Sequence, residues 1–172
     1  MADEIEIRTA IDADLPRLTE IYNHYIEHTA FTFDMELFTV DRRREEWFSK
    51  YAPTGRHRVL VAIQAGDVVG FTYSSRFRPK QAYEATVETS VYLTADYTGR
   101  GLGRRLYETL FQELAREDVH RAIALITQPN EPSESLHRKL GFESAGIWTE
   151  AGRKFGELWD VGVWQRPIVL PD

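Results

Sequence analysis

The sharpest periodic signal in the chain lies in its second half. An alternating segment, Thr86 to Leu93, reads as a strand, and Leu102, Leu106, Leu110 and Leu114 then recur at helical spacing in a helix that runs to about Asp118. Earlier, Ile5 to Arg8 alternates as a short strand. Leu15, Leu18, Ile21, Tyr22 and Tyr25 make a helical face to about Glu27, with Asp12 or Asp14 as its cap and Pro16 in its first turn. Thr29 to Phe38 is aromatic without a period and predicts a loop with buried anchors. Asp41 to Tyr51 predicts a second helix, Trp47 and Phe48 facing inward, ended by Pro53-Thr54-Gly55. Arg58–Gln64 and Val68–Ser74 form a hairpin across Ala65-Gly66-Asp67, and a polar connection, Arg76 to Tyr83, follows. Arg121–Thr127 is apolar enough for a central strand. Beyond it come a Pro-rich loop, a helix from Glu134 to Leu140 closed by Gly141, and two strands, Phe142–Trp148 and Leu158–Gln165, joined around Ala151-Gly152. The tail from Pro167 to Asp172 is expected to be peripheral. The pattern is that of one mixed α/β domain, with hairpins early and βαβ-type crossovers late.

Composition narrows the class. The 172 residues suffice for one substantial core and are few for two. A formal net charge of −6 argues against nucleic acid or an anionic membrane as the main partner. The chain has no cysteine, which removes disulfides, thiolate metal sites and cysteine nucleophiles together. The acidic start, Met1-Ala2-Asp3-Glu4, lacks the features of a signal peptide, and no apolar run approaches the ~20 residues that span a bilayer, so a cytoplasmic location is expected.

Candidate chemistry begins at Tyr97-Thr98-Gly99-Arg100-Gly101-Leu102-Gly103-Arg104. A strand, a glycine-rich turn and a helix in that order aim unpaired N–H groups, at the positive end of a helix dipole, toward one point that suits a phosphate. The spacing is not G-x-G-x-x-G, because Arg104 stands at the last glycine position, and Gly-Arg-Arg replaces the Gly-Lys-Ser/Thr of a Walker loop. A plain connecting turn is the competing reading.

Gly101 and Gly103 match the Gln/Arg-x-x-Gly-x-Gly/Ala loop of the GNAT acetyltransferase superfamily, with Thr98 departing from its first position. Downstream, Asn130-x-x-Ser133-x-x-x-His137-x-x-Leu140-Gly141-Phe142 also resembles that superfamily, as does the opening Ile7-Arg8-x-Ala10-x-x-x-Asp14 … Ile21-Tyr22-Asn23. Within it, Ile21 to Ile26, Thr86 to Tyr92 and Asp160-Val161-Gly162-x-Trp164-Gln165 look like the phosphinothricin and methionine sulfoximine N-acetyltransferases. The resemblance implies the GNAT fold: a mixed central sheet of six to seven strands with helices on both faces. It implies acetyl-CoA as co-substrate, a small amino-acid-like amine as acceptor, and a homodimer. Another amine, such as a peptide N-terminus or a polyamine, and a non-catalytic acyl-CoA sensor are the alternatives.

Acetyl transfer from a thioester to an amine needs a base for the ammonium, donors for the oxyanion and an acid for the thiolate. Glu88, on a half-buried strand before the turn, is the candidate base, against a solvated carboxylate paired with Arg78. His137 stands where many members carry a tyrosine acid, against a helix histidine that bonds a carbonyl. The resemblance assigns the backbone of Val91, Tyr92 and Leu93 to the pantetheine arm. It assigns Gly99, Arg100, Gly101, Leu102, Gly103 and Arg104 to the pyrophosphate, held mainly by backbone N–H groups, and adds Asn130 and Ser133. For the acceptor, Arg78 is the candidate carboxylate partner, with Lys80 near it. Phe77 and Tyr83, with Phe33 and Trp164, are candidate pocket walls, and Glu88 and Thr89 face the acceptor from the strand. Arg42, Arg43 and Arg44 are expected at the surface. His24-Tyr25-Ile26-Glu27-His28 fits an H-x-x-E-H zinc pattern but has no compelling third ligand, so no metal is expected.

Overall fold

The computed structural model describes residues 4–169, so the signal-peptide reading at Met1–Asp3 and the last three tail residues lie outside the described residues. Seven strands form one sheet in the order β1-β2-β3-β4-β5-β7-β6. They are β1 (Glu6–Thr9), β2 (Arg58–Gln64), β3 (Asp67–Arg76), β4 (Thr86–Leu93), β5 (Arg121–Gln128), β6 (Glu143–Lys154) and β7 (Glu157–Pro167). Four α-helices accompany them among the described residues: α1 (Leu15–His28), α2 (Val40–Glu46), α3 (Leu102–Leu114) and α4 (Glu131–Lys139). All neighbouring strands run antiparallel except β4 and β5, which α3 connects as a parallel crossover.

The two-residue period of the strands builds two cores. On β2, Val59 and Val61 pack with Leu18, Ile21, Tyr22 and Ile26 of α1 and with Phe71 of β3. Between them Leu60 and Ala62 turn the other way, Leu60 toward Tyr107 and Leu110, Ala62 toward Leu102 and Leu106, all on α3. The leucine stripe of α3 is fully buried, and each such side chain contributes about 1.5–3 kcal/mol.

Several boundaries differ from expectation. Asp14 sits at the α1 N-cap position, but its carboxylate takes Arg8 at 2.8 Å and the Ile11 N–H at 2.8 Å rather than capping the helix. α2 stops at Glu46, and Phe48–Lys50 continues as a 3-10 turn. α3 ends at Leu114, short of Asp118. α4 begins at Glu131, three residues early, because Asn130 caps it by accepting the Ser133 N–H and Pro132 tolerates the first turn. Ala151 and Gly152 lie inside β6, where the register against β7 slips; the chain reverses later, at Phe155 and Gly156. In the 29–38 loop the aromatic rings of Phe31 and Phe33 are exposed, while Ala30 and Thr32 are the buried anchors. Ile168 is also buried, in the α3-side core, so the tail is not peripheral at that point.

Candidate active site

The site forms where the sheet parts. β4 and β5 pair only at Thr86↔Arg121, Val87↔Ala122 and Glu88↔Ile123. β4 then follows β3 to Leu93↔Gly70, while β5 follows β7 to Gln128↔Asp160. Glu88 therefore stands at the last pair before a seam opens between the two parallel strands.

Main chain lines one side of the seam. The Leu93 N–H and C=O are both engaged by the Tyr25 hydroxyl, at 3.3 and 2.8 Å, and so point away from β3. By the strand period the N–H and C=O of Val91 share that edge, whereas Tyr92 turns its main chain toward β3. Of the three residues expected at the pantetheine arm, Val91 and Leu93 turn their main chain to the seam, the Leu93 groups already meeting Tyr25, and Tyr92 turns its own to β3. The Tyr92 side chain is buried among Tyr22, Tyr25 and Phe71.

The glycine turn closes the end of the seam. Gly101 is the N-cap of α3 in the left-handed region, φ 81°, which a side chain would strain. Gly103, in the first turn, is held tightly: a Cβ there would lie 3.3 Å from Leu136 Cδ2, 3.6 Å from Leu93 Cδ1 and 4.0 Å from Val91 Cγ2. The start of α3, the end of β4 and the middle of α4 thus meet at one point, with the free N–H groups of the first helical turn, around Leu102 and Gly103, beside it. The Thr98 hydroxyl donates to Ala95 O at 2.8 Å, so that its proton is spent within the turn. Arg104 pairs with Glu108 of its own helix at 2.7 Å, so the two arginines are not equivalent; Arg100 carries its charge on the exposed turn near the Tyr97 ring.

On the α1–α2 face lies a cavity of about 1170 Å³, lined by Arg43, Trp47, Tyr51, Tyr73, Ser75 and Thr86 among others. Glu88 is two residues from Thr86 and opposite Ser75 in the ladder, so its side chain leaves the sheet on this face. Burial pushes the Glu88 carboxyl above the usual carboxylate range, and the Arg78 cation holds it back. Arg78 and Lys80 are exposed on the connection between β3 and β4, Arg78 over the Phe77 ring at 5.1 Å. Phe77 and Tyr83 meet edge to face at 5.7 Å. Phe77, Arg78 and Tyr83 thus lie together on the β3–β4 connection, with Arg78 near enough to act on the Glu88 charge.

Other expected residues fall elsewhere. Thr89 points to the opposite face of β4 from Glu88 and is buried against β5 and Tyr107, away from the cavity face. Trp164 lies in the α3-side core and does not line this cavity. Phe33 packs over Gly152 of β6. Asn130 and Ser133 are committed to α4, Asn130 as cap and Ser133 with its carbonyl accepting from His137 Nδ1 at 2.7 Å. The His24 and His28 rings lie 4.6 Å apart, tilted at 52°, and among the described residues no three potential ligands gather around a metal position.

His137 is buried between the rings of Tyr107 and Phe142. Because a carbonyl can only accept, Nδ1 carries the proton in the neutral ring, and Nε2 accepts from the Tyr107 hydroxyl at 3.3 Å. Burial lowers the imidazole pKa to about 4. An imidazolium that hands its proton to a thiolate at neutral pH does not fit these surroundings. The neutral ring instead ends a chain of hydrogen bonds from Thr89 through Tyr107. Two residues of consequence are absent from the expected site, Tyr107 and Arg43. Tyr107 is hidden in the apolar stripe of α3. Arg43, expected at the surface, is buried, and its spacing of four from Trp47 is the signal that could have placed it.

A family profile described as an acetyltransferase (GNAT) domain matches residues 7–163. The phosphinothricin N-acetyltransferase of Streptomyces coelicolor is 45% identical over 96% of this chain and 97% of its own. The L-methionine sulfoximine/L-methionine sulfone acetyltransferase of Pseudomonas aeruginosa is 34% identical over 90% of each. Among solved structures, a GNAT superfamily phosphinothricin acetyltransferase from Sinorhizobium meliloti, in complex with acetyl-CoA, superposes with a TM-score of 0.89 at 31% identity, covering 96% of this chain and 89% of that one.

Proposed function

We propose, from the premise that this chain belongs to the GNAT acetyltransferase family and is an N-acetyltransferase using acetyl-CoA, that its acceptor is a small amino-acid-like amine of the phosphinothricin or methionine sulfoximine and sulfone type. The observation that carries this reading is the position of Glu88. It is the last residue paired across β4 and β5, its side chain turned to the cavity face and the main chain of Val91 beyond it turned to the seam.

Each group then has a task. The seam edge of β4 holds the pantetheine arm, and an N–H there donates to the thioester oxygen as it becomes an oxyanion. The first turn of α3 and Arg100 hold the pyrophosphate. Glu88 takes the proton of the acceptor ammonium, directly or through water; its raised pKa makes it a better base than an exposed carboxylate. His137 holds the Tyr107 hydroxyl in place, and as the C–S bond breaks the departing thiolate takes the second proton of the attacking amine, directly or through water, rather than one from an imidazolium. Holding both reactants in line supplies several further kcal/mol.

The reading includes a homodimer, supported by the exposed Ile147, Trp148, Phe155 and Leu158 on the edge hairpin β6–β7. Purified protein mixed with acetyl-CoA and a panel of amines, with free thiol followed, tests the activity. Methionine sulfone and phosphinothricin should release thiol well ahead of polyamines and peptide N-termini. Tight CoA binding with no thiol for any amine refutes the reading.

A further inference from the structure

α2 carries three arginines in succession, and two of them are spent at the surface. Arg42 pairs with Glu36 and Glu46, and Arg44 with Asp12 and Asp41. Arg43 turns inward and is 3% exposed. Its guanidinium carbon lies 4.0 Å from the ring centroid of Tyr22 and 3.9 Å from that of Trp47, with Phe38 at 5.1 Å. Contact with ring faces offsets part of the cost of burying the charge, but it does nothing for N–H groups that lie in the guanidinium plane.

Two of those nitrogens, Nε and Nη2, are buried without a hydrogen-bond partner. They are neighbours on one side of the group and form the parallel pair that meets both oxygens of a carboxylate. The acids at hand are otherwise engaged. Asp34 and Glu46 line the same cavity, yet Asp34 accepts from the Tyr22 hydroxyl at 2.6 Å and Glu46 from Arg42 at 2.9 Å. A buried cation with an unfilled fork, in the wall of a large cavity, is costly unless an anion visits it. Arg43 and Glu88 also bracket the same two phenols: the Tyr51 and Tyr73 hydroxyls feel both charges, in opposite senses.

We propose that Arg43 is the anchor for the acceptor's carboxylate, receiving it on the Nε–Nη2 fork inside the cavity while the amine faces Glu88. This deepens the proposed activity and rests on it for the identity of the acceptor. Arg78 and Lys80, both exposed, then attract the acceptor at the entrance, and Arg43 selects it within.

The test compares L-methionine sulfone with its carboxamide, which keeps the amine and loses the carboxylate. In Arg43→Gln, kcat/KM for the acid should fall by about 100-fold, chiefly through KM, while the amide changes by less than about 3-fold and the KM for acetyl-CoA is unchanged. Arg43→Lys keeps the charge between the rings without the fork and should lie between, at about a 10-fold loss for the acid. Equal loss for acid and amide in both variants, or no loss for either, overturns the proposal. Calorimetric titration with the two compounds separates it from the activity itself. If wild type turns over neither compound but binds the acid more tightly than the amide, and Arg43→Gln abolishes that preference, the anchor stands and the acetyl-transfer reading falls. If wild type binds both alike, the anchor falls.

Discussion

His137 gives the structure a quantitative handle on acid stability. The unfolded chain's histidine titrates near 6.5 and the buried one near 4, so between those values the unfolded state binds the extra proton. The folded pKa is depressed; stability from the neutral ring is therefore complete above about pH 6.5 and lost as the pH falls toward 4. One site with these values costs about 2 kcal/mol between pH 7 and pH 5, and about 3 kcal/mol by pH 4. The perturbation is His137→Gln, which removes the titration and leaves a polar group of similar reach. The variant should be less stable at pH 7 by about 1–3 kcal/mol, because the Tyr107 hydroxyl and the Ser133 carbonyl lose their buried partner. Urea denaturation of both proteins at pH 7, 6 and 5 reads the difference, since the exposed carboxylates and the other four histidines are common to both. The gap between wild type and variant should close by about 2 kcal/mol from pH 7 to pH 5. A gap that stays constant refutes the buried neutral imidazole, and with it the assignment of its Nε2 as an acceptor from Tyr107.

Three further perturbations follow from the geometry. Glu88→Gln should slow turnover by about 100-fold near neutral pH, and by less at high pH where the amine is already free; an unchanged pH–rate profile removes Glu88 from the proton transfer. Arg78→Ala removes the cation that restrains the Glu88 carboxyl, so the acid limb of the kcat/KM profile should move to higher pH, and a limb that stays in place shows that Arg78 does not act on Glu88. Gly152→Ala puts a methyl into the Phe33 ring and should cost about 1–3 kcal/mol in urea unfolding; a neutral substitution means the loop moves aside freely.

Most of the elements are legible in the chain because their burial is one-sided and periodic. The leucine stripe of α3, the two apolar runs of β2 and β3 and the extent of β4 all come directly from the pattern of the chain. So does the half-buried place of Glu88 on the strand before the glycine turn. The departures have physical causes. The hairpin β6–β7 turns at Phe155 and Gly156, both at positive φ, where no Asn or Asp announces the turn, and the Gly at 152 serves a close approach by Phe33 instead. His137 and Tyr107 are thirty residues apart, and only the packing of α3 against α4 shows that one fixes the proton of the other. Among the arginines of α2 the pattern says that they diverge; which of them turns inward depends on the ring of Trp47 one turn later. The parting of β4 from β5 has no residue signature at all, since it is a matter of register.

That parting also divides the molecule in a second sense. The ladder β1–β4 and the ladder β5-β7-β6 are joined by three residue pairs, and the chain passes between them once, through α3. A molecule that hydrogen-bonds along the seam bridges the two ladders as well as occupying a site, and at 100 times its Kd such a bridge adds about 2.7 kcal/mol to the folded state. Under the proposed placement of the pantetheine arm in the seam, the co-substrate is a fastener for the fold, and the concentration of acetyl-CoA sets how firmly the two ladders are held together.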